Sequence, residues 1–188
     1  ATRARRAADH RGDRLMFATI YLPNFHLQAA LRHQPELASQ PVALIDDREA
    51  KAAIMQLNEA AEAAGVRCGM TPSQGLARYL QLVVKTRLRA QEELLDDLLL
   101  QFAFTLAPFV EATAPGVCTV QFTDTRHVQR NVERVVEQLR ASNIVVQAGI
   151  APTPDASFLA AHLARPILQV SDTRDFLAPL PIETLAIS

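Results

Sequence analysis

The chain has only two cysteines, and they stand far apart at positions 68 and 118. That excludes a disulfide framework and a cysteine-based metal spacing, so both Cys68 and Cys118 are expected to be buried thiols. No apolar run approaches the roughly 18–20 residues that cross a bilayer, and no signal-peptide pattern opens the chain. A cytoplasmic protein with no membrane contact is the expectation. Glycine is also scarce, with 6 residues, and Gly65 and Gly69 are not followed by the Lys-Ser/Thr of a phosphate-binding loop, which excludes an ATPase of that type. No Gly-x-Ser-x-Gly or Cys/His arrangement supports nucleophilic catalysis. His26 and His33 are seven positions apart, while His127 and His162 stand alone, so no zinc site is expected and no cofactor is implied.

What is present is ordinary for a globular protein. Hydrophobic residues make up 49% and charged residues 21% of 188 residues, enough for one large domain or two small ones. Charge is unevenly placed. The net charge is −1, yet the first fifteen residues carry five arginines against Asp9 and Asp13, a basic leader of +3 before a body of −4. Tight nucleic-acid binding neutralises several phosphates with Lys or Arg, so the acidic body points to weak autonomous DNA binding. Residues 1–15 are Ala- and Arg-rich without apolar periodicity and are expected to form a disordered basic leader.

Periodicity outlines an α+β chain. Met16–Leu22, Val42–Ile45, Ala52–Leu57, Leu82–Lys85, Val117–Phe122 and Ile144–Ile150 read as strands. Helices are expected from Phe25 to near Pro35, over Asn58–Ala64 with Gly65 past its end, over Leu88–Leu106 and, from Thr153-Pro154, to Ala164. Thr71-Pro72-Ser73-Gln74 is a capping-box start. Val128, Val132, Val135, Val136 and Leu139 form a clean helical stripe. The second half reads as a ferredoxin-like sheet, with a smaller lobe inserted.

Gly65-Val66-Arg67-Cys68-Gly69-Met70-Thr71-Pro72 resembles the G-V-R-x-G-M-P signature in the fingers of the Y-family (translesion) DNA polymerases. Pro35-Glu36-Leu37 with Gln40-Pro41-Val42-Ala43, Gly149-Ile150 with Ala164-Arg165-Pro166, and Leu177-Ala178-Pro179-Leu180-Pro181 resemble three further segments in the family's order. The resemblance implies a ferredoxin-like palm over 16–25 and 80–170, an inserted small α/β fingers domain over 26–79, and the start of a helical thumb over 171–188. It also places Tyr21, Gly116 and Val117 where the family carries its metal-binding carboxylates. Glu59, Glu62 and Phe158 fall on its triphosphate contacts, and His26 on its sugar-discriminating gate.

None of these side chains supplies what two-metal phosphoryl transfer uses, because hard cations seek carboxylate oxygens and a triphosphate is repelled by glutamates. The pattern is similar to the ImuB-like branch of the family, whose resemblance implies a noncatalytic adaptor in damage-induced mutagenesis. Its implied partners are a RecA-like subunit, an error-prone C-family polymerase and the sliding clamp. The expectation is therefore a chain that is not an enzyme and holds no metal; the alternative is a translesion polymerase fragment with displaced ligands. Of the remaining acids, Glu111 and Asp124 are expected in turn or cap roles, and the pairs Asp46-Asp47 and Asp96-Asp97 on solvated surface.

Overall fold

The first strand, β1 (Met16–Tyr21), is apolar and β-rich, and Pro23 follows it where no ladder hydrogen bond could be donated. The computed structural model describes residues 15–48, 52–182 and 184, so the expected leader lies outside them apart from Leu15. The chain divides into two compact units. One comprises the described residues up to Tyr21 together with 100–140 and 146–184; the other comprises 22–99 and 141–145.

The first unit is built on a five-stranded sheet in the order β5-β6-β1-β7-β8. Its other strands are β5 (Phe109–Ala114), β6 (Val117–Phe122), β7 (Gln147–Ala151) and β8 (Ile167–Gln169). β1 pairs antiparallel with β6 and β7, β5 pairs antiparallel with β6, and β8 runs parallel to β7. The order of β5, β6, β1 and β7, with crossover helices α4 (Arg89–Phe104) and α5 (Val128–Ala141), is the ferredoxin-like arrangement expected, extended by β8. The stripe Val128, Val132, Val135, Val136 and Leu139 on α5 is buried, as its 3.6-residue period requires.

Helix α6 (Pro154–Leu163) packs on β7 and β1. It lies so close that a Cβ on Gly149 would overlap the carbonyl of Ser157 and the amide of Ala161. Glycine is needed there for space. Side chains on a strand alternate between faces, so Thr19 and Tyr21 share the face that α6 covers, with their partners Thr119 and Val117 beside them. Ala18 and Ile20 fill the opposite face and are wholly buried.

The second unit centres on a three-stranded sheet, β3-β2-β4, made of β2 (Val42–Ile45), β3 (Ile54–Leu57) and β4 (Val83–Thr86). Around it run α1 (Phe25–Leu31), a 3₁₀ turn at Pro35–Ser39, α2 (Glu59–Ala63) and α3 (Pro72–Arg78). Ala43, Ile54, Ala61, Val66 and Leu82 form one apolar cluster, and Leu27, Ala30, Val42 and Leu44 a second. The capping box is present in full, with Thr71 Oγ1 accepting from Gln74 N and the Gln74 side chain accepting from Thr71 N. A last helix, α7 (Thr173–Leu177), is capped by Asp172, which accepts from the amides of Arg174 and Asp175.

Three local expectations are corrected. Cys68 is exposed, because it sits in the turn after Val66 rather than on a core face; Cys118 is buried. The strand expected from Ile144 starts only at Gln147, because its partner β1 ends at Tyr21, directly opposite Gln147. Asp46 is buried rather than solvated, for reasons that belong to the site.

Candidate functional site

At one end of the α6-covered face, β1 places Tyr21 opposite Val117 on one side and Gln147 on the other. The β5–β6 hairpin turns at Pro115-Gly116, and Gly116 adopts φ 74°, a backbone state that suits glycine. Tyr21, Gly116 and Val117 are thus brought together by strand register. Tyr21 stacks on His162 of α6, with ring centroids 4.0 Å apart and 23° between planes. His162 in turn meets Phe158 at 4.4 Å, so Phe158 joins the same cluster through it. His162 Nδ1 lies 2.9 Å from the Phe158 carbonyl, which can only accept, so that nitrogen carries the proton. Sequence reasoning left His162 standing alone; the signal was its position four residues after Phe158 on one helix, where side chains meet.

Behind these rings runs a chain of hydroxyls. Ser157 Oγ donates to the Pro154 carbonyl at 2.7 Å, and lies 2.8 Å from Thr19 Oγ1. Thr19 is 3.0 Å from Thr119, which is 3.2 Å from Thr113. Because the terminal carbonyl only accepts, each hydroxyl in turn donates toward it, and the buried Thr19 and Ser157 are satisfied. Burial pushes the Tyr21 phenol above its ordinary pKa, keeping it neutral.

A neutral phenol, hydroxyls, a glycine and a valine do not form a donor set for a hard divalent cation, which takes carboxylate and carbonyl oxygens. Among the described residues no group of three or more His, Cys, Asp or Glu side chains is placed to hold a metal ion.

His26, Glu59 and Glu62 lie in the second unit. His26 is the second residue of α1, and its Nδ1 is 3.0 Å from Glu92 Oε2. Glu59 and Glu62 are exposed in the first turn of α2, where a helix N-terminus favours acids. Glu92 also receives Arg87 as a two-pronged fork, Nε to Oε1 at 2.9 Å and an Nη to Oε2 at 2.6 Å. Arg87 reaches Asp46 at 3.2 Å, and Arg89 reaches the same oxygen at 2.8 Å. The Arg48 amide and the Arg89 and Arg87 charges hold the Asp46 carboxyl below the usual range. Burial opposes the charged form of Glu92, but Arg87 and His26 outweigh it, and its pKa is also lowered. Asp124 behaves as expected of a turn residue. The Arg126 side chain and amide bond to it and bring its pKa to about 2. Glu111 is exposed on β5.

Residues 20–162 match the family model described as the impB/mucB/samB family. Over 171 residues the chain is 28% identical to the DNA polymerase IV of Pseudomonas syringae pv. tomato, covering 86% of this chain and 48% of the relative. Over 174 residues it is 23% identical to the DNA polymerase IV of Legionella pneumophila strain Paris, with the same shares. The chain thus spans about half the length of the curated relatives it matches. Among solved structures, the insertion ternary complex of Dbh DNA polymerase superposes with a TM-score of 0.79 at 15% identity, covering 90% of this chain and 53% of that one. DinB from Sulfolobus solfataricus superposes with a TM-score of 0.78 at 15% identity, over 90% and 52%.

Two conclusions follow. The fold is the mixed α+β fold of Y-family polymerase structures, over the half that holds palm and fingers, as expected. The expectation that the chain is not an enzyme is overturned, because the relatives matching 86% of it carry the name DNA polymerase IV, the name of an enzyme. With a family model running from β1 through α6, the chain belongs to the impB/mucB/samB family of Y-family polymerase homologues.

Proposed function

We propose that this chain is the palm-and-fingers part of a Y-family protein of DNA-damage bypass, which engages a primer–template junction together with partner proteins. The observation that carries the reading is the strand register that sets Tyr21 opposite Val117 beside the Gly116 turn, on a palm scaffold of the family's kind. In this reading the hairpin end of the palm faces the primer terminus, and Tyr21, Gly116 and Val117 stand at the family's carboxylate positions. Phe158 takes the place of its palm phosphate contact, Glu59 and Glu62 those of its fingers contacts, and His26 that of its sugar gate. No step is routed through a metal at positions 21, 116 and 117, since the side chains there do not suit one.

The partners proposed are those the family resemblance implies: a RecA-like subunit, an error-prone C-family polymerase and the sliding clamp. The body charge of −4 supports shared DNA binding, with the partners adding to the weak affinity of this chain.

Fluorescence anisotropy of labelled primer–template DNA, titrated with the 188-residue chain at several salt concentrations, tests the reading. Binding that prefers the junction to blunt duplex and weakens as salt rises is the expected result. Equal affinity for both DNAs, or none at low salt, would overturn it.

A further inference from the structure

We propose that the rings of Tyr21, His162 and Phe158 form a stacking site for one nucleobase, the base at the 3′ end of a primer. The inference deepens the reading that the hairpin end of the palm faces a primer terminus, and it rests on that reading.

The rings come from two elements of one unit, β1 and α6. His162 is the ring that both others touch, at 4.0 Å from Tyr21 and 4.4 Å from Phe158 between centroids. A flat ring gives one face to one neighbour, so Tyr21 and Phe158 each have a second face outside the contact with His162. All three side chains are half-buried, whereas Ser157, Leu159, Ala160 and Ala161 on the same helix are buried. The helix meets the sheet through those small and aliphatic residues, and the rings keep open surface.

Open aromatic faces suit a nucleobase, because every base has a π-face and stacking holds it without regard to sequence. The last base of a primer offers such a face, since no further base of its own strand covers it. The hydroxyls behind the rings are committed to one another, Ser157 to Thr19 and Thr19 to Thr119, so they read no base edge. Charge does not select the ligand either. Asp155 is exposed three residues before Phe158, Arg165 is exposed three residues after His162, and Glu111 is exposed opposite Thr119. One cation against two carboxylates gives no surplus for a phosphate, so a ligand here is held by its flat face.

The test compares the affinity of the 188-residue chain for two labelled primer–templates, one intact and one whose primer ends in an abasic sugar. The wild type should bind the intact DNA about tenfold more tightly, the contribution of one stacked base. That ratio should hold from about 50 to 200 mM salt, because the two DNAs carry the same phosphates and differ by an uncharged group. Phe158→Leu keeps apolar volume and removes the aromatic face, so it should erase most of the ratio, while Phe158→Tyr should keep it. A control, Phe104→Leu on the exposed end of α4, should leave the ratio unchanged. Circular dichroism first shows that each variant is folded.

Equal wild-type affinity for intact and abasic DNA, or a ratio that Phe158→Leu leaves intact, would overturn the stacking site while the functional reading stands. Failure to bind either DNA would overturn that reading and the site with it. A primer ending in iododeoxyuridine gives a readout that needs no variant. Irradiation should join its base to Tyr21, Phe158 or His162, as located by mass spectrometry of the peptides. Adducts confined to residues elsewhere would overturn the site even where a variant does not fold.

Discussion

Gly149 shows how one residue sets the geometry of the palm site. Its missing Cβ lets α6 lie directly on β7, and that approach brings Ser157 within reach of Thr19 and His162 against Tyr21. Gly149→Ala should therefore cost about 3 kcal/mol or more, at the upper end of overpacking, because the obstruction is helix backbone that has no rotamer to change. Urea unfolding read by circular dichroism would show it; a midpoint equal to wild type would mean that α6 does not sit this close.

Asp46 and Glu92 give a second residue-scale prediction. Both carboxyls are lowered in the folded chain, so each contributes stability that is present above its unfolded pKa and lost as pH falls through the folded one. Thermal stability should decline as pH drops below the ordinary carboxylate range of about 4. Glu92→Gln should flatten that decline while lowering stability at neutral pH, because Arg87 and His26 lose a charged partner. A variant with the wild-type slope would show that this pair does not couple to folding.

At the scale of elements, caps and connections matter more than propensity. Asn58 caps α2 by accepting from Ala61 N at 3.0 Å, accepts from Val42 N at 3.0 Å, and donates to the carbonyls of Ala38 and Gln40. One side chain therefore joins α2, β2 and the 3₁₀ turn. Asn58→Ala should cost about 2 kcal/mol, the high end for a lost N-cap, since it also leaves the Val42 amide unpaired. Chemical denaturation measures this, and a loss below about 0.5 kcal/mol would show that water replaces the bonds without cost.

The elements also show what a sequence reader can see. The stripe of α5 and the capping box of α3 were legible because their signals lie within a few residues of each other. β5 was not legible from its pattern: Phe109–Ala114 is exposed along nearly its whole length, so no buried face marks it as a strand. Asp46 was misread for a related reason. Its sequence neighbours point to solvent, while the arginines that hold it come 41 and 43 positions later. Tyr21 and His162 are further apart still, and only the packing of α6 on β1 makes them neighbours.

For the whole molecule, the family frame and the site chemistry pull in different directions. The scaffold is that of a polymerase palm with fingers, and its relatives are enzymes by name. The end of the sheet where those proteins are expected to work instead presents stacked rings and hydroxyls. The proposed reading, a palm surface that faces a primer terminus, reconciles the two.

The most direct measurement is site-specific photocrosslinking to DNA. A crosslinking residue at Ala114, exposed beside the Gly116 turn, is compared with one at Glu137, exposed on α5. The chain is mixed with a primer–template labelled at the primer's 3′ end and irradiated. The account predicts strong crosslinking of the 3′-terminal primer nucleotide from position 114 and little from 137. Equal yields from both, or crosslinks from 114 only to distant duplex, would contradict it.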